Sequence, residues 1–333
     1  MGIIQPYLPQ IWAVLLGGIL FLYVALDGFG LGVGIISLFT RDEGRRAVMM
    51  NSVGSVWHIN QTWLVILGGL LFGAFPLAYG VVLNALYLPL MFMFFGLIGR
   101  GAAFEFREQA RKKLPWSLAF GGGSLMAALA QGLAFGGWLG GLPVTGQNFA
   151  WSVWGWLTPL SFLTALGVAS GYVLLGAAYL IMKTEGDLQR RCFPTALAGG
   201  ILAFLTALVA TFWVPRIHPF AAQKWTAWPG AAAIALPALF SLAAFALLMV
   251  SLIRRRERAP FVWSVLLILF LMLALAAQMN PYLIPPSVTA AQAAAAPGSL
   301  SFMLIFVGAL LPFILAYNAY AYRVFRGKTR EGY

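Results

Sequence analysis

The chain has 333 residues, of which 61% are hydrophobic and only 9% are charged. This composition excludes a soluble two-domain protein and is typical of a membrane protein. The net charge of +12 comes from short basic clusters between apolar runs, and this distribution excludes a nucleic-acid reader. The single cysteine, Cys192, excludes a disulfide framework, a cysteine-ligated zinc site and an iron–sulfur cluster within this chain alone.

Apolar runs long enough to cross a bilayer recur throughout the chain, since a membrane helix needs roughly 20 apolar residues. They predict an all-α integral membrane protein with nine transmembrane helices. The nine predicted spans are 10–39, 53–75, 80–104, 116–141, 152–182, 194–214, 231–252, 261–284 and 299–322. Short connections between the spans favour antiparallel neighbours packed into bundles.

A weak internal similarity indicates two halves. Segment 28–41 closes the first span and segment 171–184 closes the fifth, and both run into a charged turn. Shared membrane composition would also produce this similarity. The interpretation as two four-helix bundles plus one additional helix predicts a first bundle at 1–141, a second at 142–285, and a ninth helix with a tail at 286–333.

The basic residues predict the orientation. Eighteen of the 21 lysines and arginines follow the odd-numbered spans, whereas Arg216 and Lys224 lie on the other side and Arg100 lies inside a span. The positive-inside rule therefore places the N-terminus outside and the C-terminus in the cytoplasm. No lysine or arginine precedes Arg41, so the first span lacks the basic start of a signal peptide and is expected to be retained.

Asp27 is a carboxylate inside the first span, where a charge costs a few kcal/mol or more unless it is paired or hydrated. Glycines follow it at 28, 30, 32 and 34, and their missing side chains let another helix approach closely. Two interpretations fit: a packing seam with one satisfied aspartate, or a proton or cation path. Arg100 lies at a similar depth in the third span, which suggests an intramembrane ion pair between Asp27 and Arg100.

The second span begins with the densest polar and aromatic cluster inside any span, comprising Trp57, His58, Asn60, Gln61 and Trp63. The tryptophans also suit an interfacial belt. His58 has three interpretations: a proton carrier, a haem ligand, or a side chain that only hydrogen-bonds a carbonyl. A haem held by two histidines is not expected, because the second histidine, His218, lies in a loop on the opposite side.

Five motifs carry a resemblance that covers essentially the whole chain. They are Asp27-Gly-Phe-Gly-Leu-Gly-Val-Gly34, Val56-Trp-His-Ile-Asn-Gln-Thr-Trp-Leu-Val65, Leu71-Phe-Gly-Ala-Phe-Pro76, Arg100-Gly-Ala-Ala-Phe-Glu-Phe-Arg107 and Asn280-Pro-Tyr-Leu-Ile-Pro-Pro-Ser287. In these motifs the chain resembles subunit II of the bd-type quinol oxidases. Segment 182–191 is more similar to the cyanide-insensitive branch of that family.

The resemblance implies a heterodimer in the bacterial inner membrane, with the N-terminus of this chain in the periplasm. The larger subunit I would carry two haems b, a haem d or a further haem b in its place, and the site where quinol passes electrons to O₂. This chain would hold no cofactor or metal and would scaffold subunit I. In some members subunit II also lines routes for protons and O₂, and a structural quinone or small single-helix subunits accompany it.

Two departures from the family pattern bear on the proton route. Gly30 replaces a second aspartate, and His58 and Ile59 replace an aspartate and a glycine. The proton-path candidates are Trp57, His58, Asn60, Gln61, Trp63 and Asp27. Three outcomes fit: His58 replaces the lost carboxylate, the path runs through the partner or through Asp27 alone, or Ile59 plugs the route.

Small residues on the second span suggest an apolar passage for O₂, formed by Gly68, Gly69, Gly73 and Ala74. Two rival functions stand beside the oxidase. A secondary transporter would also show weak repeats, glycine-interrupted helices and a buried Asp27. A divergent paralogue that serves only in assembly would lack stable haem in its complex.

Overall fold

The computed structural model describes residues 5–142, 144–145, 148–149 and 153–329, and most of them lie in helices. The helices are α1 (Leu8–Leu38), α2 (Glu43–Gly54), α3 (Trp57–Ala74), α4 (Pro76–Ala85), α5 (Tyr87–Arg107), α6 (Leu114–Gly140), α7 (Pro159–Lys183), α8 (Gly186–Ile217), α9 (Pro219–Thr226), α10 (Gly230–Ile253), α11 (Ala259–Met279), α12 (Ala290–Ala293) and α13 (Pro297–Val324). Two short antiparallel hairpins complete the fold: β1 (Val144–Thr145) with β2 (Asn148–Phe149), and β3 (Tyr282–Ile284) with β4 (Val288–Thr289).

Eight helices in the described part of the chain are long and apolar enough to cross a membrane by length and composition. They are α1, α5, α6, α7, α8, α10, α11 and α13. Many of these helices begin with proline in the first turn, where no intrahelical hydrogen bond is lost. This architecture agrees with the prediction of an α-helical membrane protein.

Several predicted boundaries were wrong. The predicted span 80–104 is broken at Leu86, between α4 and α5. Span 261–284 was too long, because α11 ends at Met279 before Pro281, and 282–284 form a strand. Span 53–75 began too early, since Val53 and Gly54 belong to α2.

The predicted fifth span, 152–182, also began too early. Residue 152 lies outside the described residues, and α7 begins only at Pro159. The side chain of Thr158 caps this helix by accepting a hydrogen bond from Ser161 N at 3.2 Å. A capping threonine sets the first turn even though apolar residues precede it, so hydropathy alone misplaces the start.

Helix α1 lies at the centre of the molecule, packed against α3, α6 and α7. Its closest approach is to α7: a Cβ atom at Gly32 would lie 1.7 Å from the carbonyl oxygen of Tyr172. A Cβ at Gly176 would likewise lie 2.5 Å from the carbonyl carbon of Gly32. Lipid supplies no hydrophobic force between membrane helices, so such backbone contact is a main source of their packing energy.

Helix α13 is exposed over most of its surface, and its buried residues are Leu300, Asn318 and Ala321. Polar contacts hold both of its ends. Trp12 donates to the carbonyl of Leu300 at 3.2 Å. Beyond the helix, Lys183 donates to the carbonyls of Phe325 and Gly327. The tail after α13 is therefore anchored to the end of α7. This tail belongs to the side of the molecule that carries most of the lysines and arginines. We call it the basic side, and it consists of the turns at 39–42, 108–113, 184–185, 254–258 and 325–329.

We predict that Gly32→Ala destabilises the protein by about 1–3 kcal/mol, because the new methyl group must push α1 and α7 apart. Thermal unfolding of the purified protein in detergent measures this as a lower midpoint. Gly17→Ala is the matched control in the same helix, since a Cβ there meets no atom within 4 Å. Equal unfolding midpoints for the two variants would show that the α1–α7 contact does not limit the thermal stability of the protein.

Candidate functional site

The centre of the first half contains a completely buried ion pair. Arg100 of α5 donates from Nη1 to Oδ1 of Asp27 in α1 at 2.8 Å, and both side chains are 0% exposed. The structure therefore brings these two sequence-predicted residues together. An isolated charge at this depth would be strongly unfavourable, whereas the paired charges offset each other.

Gly30 provides the room for this pair. Positions 27 and 30 are one turn apart on the same face of α1. A Cβ atom at Gly30 would lie only 2.5 Å from Nη2 of Arg100. The guanidinium therefore occupies the space that a side chain at position 30 would need, and this explains how the chain accommodates glycine at that position.

The ion pair is not fully hydrogen-bonded. Within the described residues, Oδ2 of Asp27 and both Nε and Nη2 of Arg100 are buried without a hydrogen-bond partner. A second polar group lies in the same region: Tyr172 OH donates to Gln131 Oε1 at 2.5 Å, and Gln131 Nε2 donates to Tyr23 OH at 2.7 Å. The Tyr172 ring lies close to the residue that follows Asp27 along the chain, because a Cβ atom at Gly28 would be 2.6 Å from Cε1 of Tyr172. The sequence analysis missed these tyrosines and Gln131, although a glutamine inside a span is itself a signal.

Asn60 joins three helices. Its side chain is 1% exposed, donates to the carbonyl of Leu26 at 2.7 Å and accepts from Tyr322 OH at 2.6 Å. It thus links α3 to α1, next to Asp27, and to the end of α13. Trp63 makes a longer contact of the same kind, from Nε1 to Oδ1 of Asn318 at 3.4 Å.

His58 lies on the surface of the chain, away from the ion pair. Its side chain is 70% exposed, and Nε2 lies 3.7 Å from Oε1 of Glu105, which is 65% exposed. The ring packs against Trp57 at 3.6 Å, and Trp57 stacks on Phe104 at 5.0 Å. The structure therefore separates His58 from Asp27 and pairs it with Glu105, a residue that the sequence analysis did not select.

Gln61 follows Asn60 in α3. It is partly buried, and its Nε2 has no hydrogen-bond partner among the described residues. A buried amide nitrogen without a partner is unfavourable in lipid. Gln61 therefore contacts neither the ion pair nor His58 through a hydrogen bond.

Two cavities open on the basic side near α3. The first has a volume of about 420 Å³ and is lined by Met50, Asn51, Gly54, Ser55, Trp57, Phe104, Glu105, Arg107, Glu108 and Gln109. The second has a volume of about 540 Å³ and is lined by Asn51, Ser52, Ser55, Lys183, Phe325, Gly327, Lys328 and Thr329. Since Glu105 lines the first cavity, the His58–Glu105 pair adjoins a polar space that can hold water.

A carboxylate on the basic side ties three helices together. Glu43 of α2 accepts hydrogen bonds from Arg107 at 2.5 Å, Ser117 at 2.9 Å and Arg46 at 3.2 Å. Burial alone would raise the pKa of Glu43, but these hydrogen bonds outweigh it and lower the pKa. Glu43 is therefore ionised at neutral pH and fixes α2 against α5 and α6.

The four O₂-path candidates do not share one space. Gly68 and Gly69 have nothing within 4 Å of a built Cβ, whereas a Cβ at Gly73 would lie 2.5 Å from Cε of Met303 in α13. Ala74 is completely buried, and its carbonyl accepts from Ala295 N at 2.9 Å. An open surface is therefore found only at Gly68 and Gly69.

The described part of the chain contains no group of three or more histidine, cysteine, aspartate or glutamate residues that could hold a metal ion. The two histidines lie in different surroundings. His218 is buried, with Nε2 at 2.9 Å from the carbonyl oxygen of Leu139, whereas His58 is at the surface.

Comparison with known proteins gives the family. Residues 8–325 match the model of the family described as cytochrome bd terminal oxidase subunit II. The chain is 28% identical to the cytochrome bd-I ubiquinol oxidase subunit 2 of Escherichia coli (strain K12), over 96% of this chain and 95% of the relative. It is 27% identical to the cytochrome bd ubiquinol oxidase subunit 2 of Bacillus subtilis (strain 168), over 97% of both chains.

The fold agrees with a solved structure. The bd oxidase from Geobacillus thermodenitrificans has a chain that superposes with a TM-score of 0.79 at 20% identity, covering 96% of this chain and 98% of that one. This likeness shows that the two chains share a fold, and the family match covers nearly the whole chain. The chain therefore belongs to the family of subunit II of the cytochrome bd terminal oxidases.

Proposed function

We propose that the chain is the haem-free subunit of a quinol:O₂ oxidoreductase complex in a bacterial inner membrane, where it scaffolds a larger haem-bearing subunit I. The family match over residues 8–325 carries this proposal. As a family member, the chain is part of a terminal oxidase complex. Quinol and O₂ are then substrates of the complex, and catalysis takes place in the partner.

The finer properties of the complex rest on sequence similarity. Segment 182–191 supports the cyanide-insensitive branch, with two haems b and a haem d, or a further haem b, in subunit I. A structural quinone and small single-helix subunits are further proposed components. The excess of lysine and arginine on the basic side supports a cytoplasmic location for that side and a periplasmic N-terminus.

We propose α3 as the ninth span, in addition to the eight apolar helices. Its 18 residues extend about 27 Å at about 1.5 Å per residue, close to the ~30 Å of a hydrocarbon core. Its polar first turns lower its hydropathy, but Asn60 is hydrogen-bonded inside the protein. The first bundle at 1–141 then contains α1, α3, α5 and α6, the second at 142–285 contains α7, α8, α10 and α11, and α13 in 286–333 stands alone.

His58 is our proposed proton carrier, acting together with Glu105 at the surface that adjoins the 420 Å³ cavity. An imidazole ordinarily titrates near neutral pH and can therefore accept and release protons in the cytoplasm. Because the His58 side chain faces away from the core of this chain, the next acceptor belongs to the partner subunit. The buried Asp27–Arg100 pair has a structural role in this scheme, and O₂ entry is proposed only at the open Gly68 and Gly69.

Purification of the chain from its native membrane tests the proposed function. We expect a larger haem-bearing subunit to co-purify and the complex to show haem absorbance and quinol-driven O₂ consumption. A transporter would purify colourless and without such a partner. A larger partner without haem would instead indicate a paralogue that serves only in assembly.

For the ion pair, we expect Asp27→Leu and Arg100→Leu each to destabilise the complex by about 3–5 kcal/mol, because each leaves a buried charge without its partner. The double variant removes both charges and should be no less stable than the worse single variant. Thermal unfolding of the purified complex, followed by haem absorbance, measures all three. Additive effects of the single substitutions would contradict the coupling.

For the proton route, we expect His58→Ala to lower quinol-driven O₂ consumption and proton uptake by at least roughly tenfold. The measurement uses proteoliposomes between about pH 5.5 and 8.5, a range that brackets ordinary histidine titration. Thr62→Ala is the matched control, because Thr62 is exposed one turn further along α3. Unchanged turnover and proton uptake in His58→Ala would place the route elsewhere and leave this chain mainly as a scaffold.

A further inference from the structure

The turn between α10 and α11 has an unusual surplus of positive charge. Its four arginines are all exposed: Arg254, Arg255, Arg256 and Arg258. The acid in this turn, Glu257, accepts hydrogen bonds from Lys328 and Gln189, both at 3.2 Å, and these bonds lower its pKa. Among the described residues, no carboxylate lies within 4 Å of any of the four guanidinium groups. The turn thus presents four exposed arginines around one acid, and that acid is hydrogen-bonded to Lys328 and Gln189.

The backbone holds one of these arginines in a conformation that glycine normally occupies. Arg255 has a φ of 51°. In the part of the chain that the structure describes, no other non-glycine residue has a positive φ. Arg255 N bonds to the carbonyl of Leu252 and Arg256 N to that of Ser251, both at 3.0 Å, which is the Schellman ending of a helix. A side chain is unfavourable at this position, so the arginine is not there for the sake of the turn.

The turn lies against the start of α8. The Cζ atom of Arg255 is 5.9 Å from the centroid of the Phe193 ring, and Gln189 contacts Glu257. Arg190 is three residues before Phe193, on the same side of α8, and it is also exposed. This end of the bundle therefore carries a fifth exposed arginine.

An apolar stripe leads along α10 to the arginines. Leu247 is 43% exposed, Val250 is 43% exposed and Ile253 is 75% exposed. Their spacing of three residues places them along one side of the last turns of α10. The last turns of α10 therefore present an apolar surface that is followed directly by guanidinium groups. This is the combination that a membrane interface contacts.

We propose that this site binds an anionic phospholipid, with its phosphate on Arg254, Arg255 and Arg256 and an acyl chain along Leu247, Val250 and Ile253. A guanidinium can bind two phosphate oxygens at once, which suits arginine better than lysine for this purpose. Basic segments next to membrane helices attract anionic headgroups in the same way. The proposal does not depend on the chemistry of the oxidase.

The experiment is native mass spectrometry of the purified complex in mixed micelles of detergent with phosphatidylglycerol or phosphatidylcholine. Arg255→Gly should lower the retention of phosphatidylglycerol roughly fivefold. The same variant should unfold at an equal or higher temperature, because glycine suits a positive φ. Loss of thermal stability together with lipid would mean that Arg255 serves the fold, and it would overturn the proposal.

A triple variant separates this site from general positive charge. Arg254→Gln, Arg255→Gly and Arg256→Gln together should abolish the preference for phosphatidylglycerol over phosphatidylcholine. The matched control replaces Arg111, Lys112 and Lys113 with Gln, since these exposed residues of the α5–α6 turn carry the same three charges. Equal loss in the two triple variants would refute the site, and so would complete displacement of the lipid by inorganic phosphate alone.

Discussion

The arrangement of the first half depends on the buried pair of Asp27 and Arg100. In a medium of low dielectric constant a lone charge is far less favourable than a pair, so α1 and α5 are held at the one register in which the 2.8 Å contact forms. Gly30 must then be small, because the guanidinium fills the space beside it. The glycines further along α1 allow α7 to approach at the same time, and together these contacts place α1 at the centre of the protein.

The same pair limits what this site can do chemically. Its charges balance, and neither side chain is exposed. A proton added to Asp27 would leave Arg100 uncompensated in the membrane, which is unfavourable. The proposed route through His58 and Glu105 avoids this difficulty, because both side chains are largely exposed and Glu105 lines a polar cavity. A proton can be held there without uncovering a buried charge.

Hydropathy predicts the long helices well because a bilayer demands about 20 apolar residues for each span. Asp27 and Arg100 lie at similar depths within their predicted spans, and this similarity also predicts that they meet. The direction of side chains in the polar turn of α3 is different: His58 and Asn60 are about 200° apart around the helix axis, so one faces outward and the other faces α1. A single sequence does not show which face is buried. The break at Leu86 lies where Pro89 cannot donate a backbone hydrogen bond to the carbonyl of Ala85, and it leaves the hydropathy almost unchanged.

Gly30 and the outward-facing His58 both leave the buried pair undisturbed. A side chain at position 30 would occupy the space of the guanidinium, whereas glycine leaves that space open. Asn60 lies two residues from His58. It is hydrogen-bonded to Leu26 and Tyr322, and it thereby holds α13 in place. The first turns of α3 therefore have two faces with different contacts. The inner face links three helices by hydrogen bonds, and His58 is left on the outer face, where the proposed proton route begins.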